Sequence, residues 1–261
     1  MTRLSGHQLT LGYDHHTVSE GLNIDIPDGQ FTVIVGPNGC GKSTLLKTLC
    51  RLLAPKAGEV LLDGQRLAKF DAKALARELG LLPQSAQCPD GLRVVDLVAR
   101  GRYPHQSAFR QWSEQDQDAV SEALALTNLE SLSERPVDAL SGGQRQRVWI
   151  AMVLAQQTPI LLLDEPTTYL DITHQIELLE LFKRLTTQSG RTLIAVLHDL
   201  NQACRYADHL VVMANGQVVD TGAPKDIITQ DLVEEVFALP NVIIDDPISH
   251  TPLIVPKGHG Q

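Results

Sequence analysis

Residues 36–44 read GPNGCGKST, directly after the apolar run Phe31-Thr32-Val33-Ile34-Val35 and directly before Leu45, Leu46 and Leu49 at helical spacing. Glycine at an element boundary costs stability unless the backbone must take unusual dihedrals or approach something closely. A buried strand, a glycine-rich turn and a helix in immediate succession restrict the chain to folds in which backbone N–H groups converge at a helix N-terminus. Gly36, Gly41, Lys42 and Ser43 satisfy G-x-x-x-x-G-K-[ST] in the strand–turn–helix setting this motif needs. Such a loop, Gly36-Pro37-Asn38-Gly39-Cys40-Gly41-Lys42-Ser43-Thr44, cradles phosphate: the backbone N–H groups of its residues other than Pro37 converge on the oxygens, the helix dipole adds positive potential, and Lys42 reaches the terminal phosphates. Ser43 is placed to ligate Mg²⁺, which binds through few protein oxygens and several phosphates or waters.

Three further short runs are apolar on both faces, at 79–82, 160–163 and 193–197. Strands of that kind belong to parallel sheets covered by helices. The first helix is expected to run from Lys42 through Leu52 and Leu53 to a stop at Ala54-Pro55, and another covers Ile176 to Leu185. The fold class is α/β. Leu22, Ile24 and Ile26 alternate with polar residues and 59–62 run into Asp63-Gly64, which predicts a half-solvated antiparallel sheet beside the core. Residues 88–156 carry helical patterns without a buried strand, and 211–222 read as a hairpin around Asn215-Gly216. The expected organisation is one domain over 1–261: a catalytic core with its β subdomain at 1–87 and 157–240, a helical subdomain at 88–156, and a tail at 241–261 whose short apolar pieces have no clear assignment.

Composition narrows the partners. The net charge of −9, from 22 basic and 31 acidic residues, disfavours a nucleic-acid surface, which needs a basic stripe. No apolar run approaches the roughly 18 residues that span a bilayer, and MTRLSGHQLT has no signal-peptide core, so the chain reads as cytosolic. Cys40, Cys50, Cys88 and Cys204 show no metal-ligand spacing and are expected to be buried thiols; His15 and His16 are expected at the surface.

The 160–163 run ends in Asp164-Glu165. Asp164 at a strand tip is a Mg²⁺ partner, direct or through water, and Glu165 is a candidate base for the water that attacks phosphate. His198, after the 193–197 run, stands where open α/β sheets bind ligands, as does Gln84 after 79–82. Leu140-Ser141-Gly142-Gly143-Gln144 is a capping box opening a helix through Val148, Ala151 and Leu154. Capping leaves two successive glycines unexplained, and they permit a second phosphate to approach that helix tip.

With LSGGQ the sequence resembles the ATP-binding subunits of ABC transporters, over nearly the whole chain. The resemblance implies an ABC-type nucleotide-binding domain of P-loop NTPase fold with a RecA-like core, ATP with Mg²⁺, Gln84 in the Q-loop and among the metal ligands, Leu170-Asp171 as the D-loop, His198 as the switch histidine, and Tyr13 stacking on adenine. It implies a head-to-tail homodimer in which Ser141 and Gly143 of one copy meet ATP held by the other. It also implies a membrane permease docked on the surface from Ser85 to His105, with Arg100, Arg102 and Tyr103 as contributors, and a location on the cytoplasmic face of the bacterial membrane. ARGRYPHQ, LSGGQRQRVWIAMVLAQ, EPTTYLDITHQIELL, VLHDLNQACRYADHL and IIDDPISHTPLIVP look like ATPases of iron-siderophore importers of the catecholate type. Haem and vitamin B12 importers share many of these features. A siderophore-binding protein outside the membrane is an indirect partner by the same resemblance.

Overall fold

The computed structural model describes residues 2–14, 16–84, 88–106 and 112–258. The chain divides into two compact units, one of Met1–Lys69 with Leu185–Gln261, the other of Phe70–Arg184.

The first unit begins with β1 (Thr2–Tyr13) and β2 (His16–Pro27), an antiparallel pair, followed by β3 (Phe31–Val35), α1 (Lys42–Leu49), β4 (Ala57–Leu62) and β5 (Gln65–Arg66). Strands β2-β1-β4-β5 form the expected small sheet, with Leu22, Ile24 and Ile26 buried on one face. The first strand had no clean alternation in the sequence because Gln8 takes φ 49 and the register slips between Gly6 and Leu9. Leu4 and then Leu9 and Leu11 are buried, an odd offset that breaks the period of two.

Helix α1 ends earlier than its leucines imply. The Leu52 N–H donates to Lys47 O at 2.9 Å and the Arg51 N–H to Thr48 O at 3.0 Å, with Arg51 at φ 62, which is a Schellman stop. Leu52 and Leu53 therefore lie beyond the helix, and Leu52 is exposed. Local backbone capping, not Pro55, sets the end.

The second unit contains α2 (Ala72–Glu78), β6 (Leu79–Leu82), α3 (Val94–Ala99), α4 (Glu114–Leu126), α5 (Gly142–Ala155), β7 (Ile160–Asp164) and most of α6 (Ile172–Ser189). Strands β6 and β7 pair in parallel, and every residue of β7 is buried. No strand appears among the described residues of 88–156. A buried ion pair ties this helical stretch together: Arg102 Nε donates to Asp116 Oδ1 at 2.9 Å and Arg102 Nη1 to Ala155 O at 2.8 Å. Ser113 Oγ donates to Asp116 Oδ2 at 2.7 Å while capping α4.

Back in the first unit run β8 (Thr192–Val196), α7 (Leu200–Tyr206), β9 (His209–Ala214), β10 (Gln217–Gly222), α8 (Pro224–Ile227), α9 (Gln230–Phe237), β11 (Asn241–Asp245) and β12 (Pro252–Pro256). Their order β10-β9-β3-β8 places β3 between two parallel neighbours, and its five residues are all buried. The β9–β10 hairpin turns at Asn215 (φ 49) and Gly216 (φ 76), as the dipeptide requires. The tail resolves into a β11–β12 hairpin. Asn201 fixes it to α7 by accepting from Ile254 N at 2.8 Å and donating to Ile254 O at 3.1 Å. Cys40 and Cys204 are buried as expected, but Cys50 and Cys88 are only half-buried. Burial pushes the Cys204 thiol up to about 12, Asp199 adding to the effect, which makes it an inert core group.

Candidate functional site

In the first unit, β3 delivers the chain to Gly36 and α1 begins at Lys42. Gly36 holds φ 153, and a Cβ there would lie 2.1 Å from Met213 O; Gly41, the cap of α1, holds φ 105, and a Cβ there would lie 2.9 Å from Val18 Cγ1. These two glycines let the loop fold tightly against its own unit. Cys40 O accepts from Gly216 N at 3.2 Å, so the β9–β10 turn braces the loop. Lys42 is buried, and its Nζ donates to Gly36 O and Pro37 O at 2.8 Å each. The ammonium is thereby held by the loop's own carbonyls, exchanging water for carbonyl dipoles.

Strand β8 lies beside β3 in parallel, with Ile34 opposite Val196, and Leu197 N donates to Ile34 O at 3.3 Å. His198 is exposed, one residue further along from the same strand end that delivers Gly36, and Asp199 caps α7 by accepting from Gln202 N at 2.9 Å. Tyr13 ends β1 opposite His16 and is 45% exposed, so its ring is available rather than core. His16 is exposed; His15 lies outside the described residues.

In the second unit, the parallel register sets Leu82 opposite Leu163, which puts Gln84, exposed, and Asp164, buried, just beyond one end of the β6–β7 pair. Glu165 follows at φ 52. A glutamate in the left-handed region costs of order 1–2 kcal/mol and persists only where the surroundings impose it, a mark of functional turns. Thr168 Oγ1 donates to Glu165 Oε2 at 3.3 Å and so orients the carboxylate.

The capping box is present in full: Ser141 Oγ accepts from Gln144 N at 3.2 Å and Gln144 Oε1 accepts from Ser141 N at 3.0 Å. A Cβ on Gly143 would stand 3.2 Å from Leu170 Cδ2, whereas one on Gly142 would meet nothing closer than Tyr169 Cβ at 3.9 Å. Close approach to Leu170 thus accounts for Gly143; a Cβ on Gly142 would make only an ordinary contact, so packing does not require a glycine there. Asp171 Oδ1 accepts from His174 N at 3.0 Å and holds the start of α6.

Two residues that the motifs did not single out join these pieces. Gln146 Nε2 donates to Pro166 O at 3.1 Å, and Gln175 Nε2 donates to Leu170 O at 3.0 Å. Gln146 reaches a residue twenty positions away and Gln175 reaches back five to the turn before its own helix; each lies at an ordinary helical position, so no sequence signal marks either bond.

Arg102 does not belong to a docking surface. It is buried and engaged with Asp116, whereas Arg100 and Tyr103 are exposed. Residues 85–87 lie outside the described residues. Among the described residues, no helix is long and apolar enough to cross a membrane, and no group of three or more His, Cys, Asp or Glu side chains is arranged to hold a metal ion.

Residues 19–168 match the ABC transporter family's sequence profile. The chain belongs to the ABC transporter family. It is 57% identical over 258 residues to the ferric enterobactin transport ATP-binding protein FepC of Escherichia coli K12, covering 99% of this chain and 95% of that one. An ABC transporter of metal-chelate type in an inward-facing conformation superposes with a TM-score of 0.83 at 29% identity, covering 98% of each chain. A dimeric ATP-binding cassette with ADP and Pi, in a post-hydrolysis state, superposes with a TM-score of 0.76 at 28% identity over 84% of this chain and 98% of that one. ABC ATPases share the mixed parallel and antiparallel α/β fold described above.

Proposed function

We propose that this chain is the ATP-hydrolysing subunit of a bacterial importer for a ferric siderophore of the catecholate class. Two copies work beneath a membrane permease, at the cytoplasmic face of the inner membrane. The observation that carries the reading is the 57% identity, over 99% of this chain, with the ATP-binding protein of ferric enterobactin transport. The phosphate loop supports the chemistry.

In this reading the backbone N–H groups of 38–44 and the Lys42 ammonium take the triphosphate. Lys42 exchanges the Gly36 and Pro37 carbonyls for phosphate oxygens, and Tyr13 stacks on adenine. Glu165 accepts the proton of the attacking water, and His198 donates toward the γ-phosphate. The Ser141–Gln144 helix tip of the second copy, with Asp171 nearby, closes over the same phosphates, so each site needs both copies. By the chemistry of their donor atoms, all oxygen, the Ser43 hydroxyl, the Gln84 amide oxygen and the Asp164 carboxylate would hold Mg²⁺, completed by phosphate and water. When bound, Mg²⁺ supplies neutralisation of phosphate charge. Catalysis is then mainly electrostatic preorganisation. ATP favours the closed pair and hydrolysis the open one, which biases the permease between its two faces.

Uptake of radiolabelled ferric enterobactin by cells lacking this chain tests the reading. Uptake is expected to vanish, to return with the parental chain, and to stay absent with Glu165→Gln. Normal ferric-catecholate uptake together with lost haem or vitamin B12 uptake would assign a different cargo. Affinity capture from solubilised membranes is expected to recover a polytopic permease.

A further inference from the structure

Arg147 on α5 and His174, Glu177, Glu180 and Arg184 on α6 line a half-open cleft of about 240 Å³, with Thr127, just past α4, also in its wall. The four α6 residues recur at spacings of three and four, so they share one face of that helix. Leu178 and Leu181 form an apolar floor.

One donor in this cleft, on Arg147, is left unsatisfied. Glu177 Oε2 lies 3.2 Å from His174 Nδ1 and is engaged within its own helix. Arg147 Nε is fully buried and has no hydrogen-bond partner among the described residues. A buried donor without an acceptor forfeits its hydration with no return, and it forfeits more when it belongs to a cation. The planar guanidinium fork matches carboxylate and phosphate oxygens bidentately. At about 30 Å³ per water, the cleft has room for more than a single solvent molecule beside that fork.

We propose that this cleft binds a small oxyanion, a carboxylate or a phosphate, clasped by Arg147 with Arg184 contributing from α6. The floor favours a short carbon chain, and the oxygens meet the guanidinium groups. Glu177 and Glu180 oppose anion binding and set it in a weak range suited to sensing an abundant metabolite.

The site is placed to regulate. Arg147 lies six residues after Ser141 on the helix that cap opens, and Asp171 Oδ1 holds the N–H of His174. An anion held by both helices ties together the segments that begin at the signature and at the D-loop. A ligand that prefers one arrangement of these helices shifts the population toward it. This regulatory step rests on the function proposed above; the binding step does not.

The test titrates the full-length, nucleotide-free protein with succinate and, separately, with inorganic phosphate, following arginine Nε–H resonances by NMR. The Arg147 resonance, assigned by triple-resonance methods, is expected to shift saturably. Arg147→Lys is expected to weaken binding at least tenfold, and Glu180→Gln to tighten it severalfold. A shift with succinate alone identifies a carboxylate site, and one with phosphate alone a phosphate site; phosphate held only by the 36–44 loop leaves the Arg147 resonance still and counts against the proposal. An unmoved Arg147 resonance with both anions overturns it, and that reading stands on the parental protein even should the lysine variant fail to fold. ATPase assays then read regulation: succinate is expected to change the parental rate at least twofold. A protein with no ATPase activity would sink the earlier reading while leaving the binding result intact.

Discussion

Gln146 Nε2 donates to the carbonyl of Pro166 at 3.1 Å, fastening the helix that opens at Ser141 to the turn that starts at Glu165. One hydrogen bond of this kind is worth about 1 kcal/mol, or about fivefold in rate if it is needed only when the carboxylate acts. Gln146→Ala is therefore expected to lower kcat about fivefold with KM for ATP within a factor of two. Steady-state ATPase kinetics check this, and an unchanged kcat would show that the bond is structural only.

The glycines of the phosphate loop are not equivalent. Gly36 has its φ of 153 and the Met213 carbonyl 2.1 Å from a would-be Cβ, whereas Gly39 has a positive φ of 78 and nothing within 4 Å. Gly39→Ala is expected to cost about 1 kcal/mol, and Gly36→Ala about 3 kcal/mol or more, since overpacking adds to the dihedral cost. Urea unfolding midpoints read the difference directly; equal losses would mean that the carbonyl contact does not matter.

Most of this arrangement was legible in the sequence because the chemistry is local. The strand, turn and helix around Lys42, the Ser141–Gln144 capping box and the Asn215-Gly216 turn each follow from a few adjacent residues. What stayed hidden depends either on contacts distant in sequence or on local backbone conformations that the residue types do not announce. The first strand lost its period through the bulge at Gln8, and α1 stopped at a Schellman cap on Arg51, a residue type with no preference for that conformation. Arg102 read as a surface cation because nothing near it in sequence announces Asp116, its buried partner.

That pair makes stability depend on pH. Burial raises the Asp116 pKa, but the hydrogen bonds from Ser113 and Arg102 outweigh it and hold the carboxyl at about 2, below its ordinary 3.8. Between those values the unfolded chain binds more protons than the folded one, so the contribution is complete above about pH 4 and is lost as the pH falls toward 2. Asp116→Asn is expected to flatten this part of the stability–pH curve. Arg102→Met leaves a buried carboxylate uncompensated and is expected to cost about 3–5 kcal/mol at pH 7. Chemical unfolding between pH 2 and 7 checks both; an Asp116→Asn curve parallel to the parental one would contradict the assignment.

Tyr13, exposed at the end of β1, is the proposed adenine platform. Stacking of a base on an aromatic ring contributes about 1–3 kcal/mol, so Tyr13→Ala is expected to weaken ATP binding by about fivefold to 150-fold, with Tyr13→Trp restoring it. Fluorescent-nucleotide titration measures this. Equal affinities in the parent and Tyr13→Ala would return the ring to a purely structural role.

Glu165 stands at φ 52 immediately after the buried Asp164, held by Thr168, and the account gives it the proton of the attacking water. The most direct measurement is single-turnover ATP hydrolysis by Glu165→Gln, with its oligomeric state followed in the same samples. The expected result is ATP binding close to parental, hydrolysis slowed at least about 100-fold, in keeping with the 10²–10⁴ typical of a general base, and an accumulated ATP-bound pair of chains. Hydrolysis at the parental rate, with no trapped pair, would contradict the account.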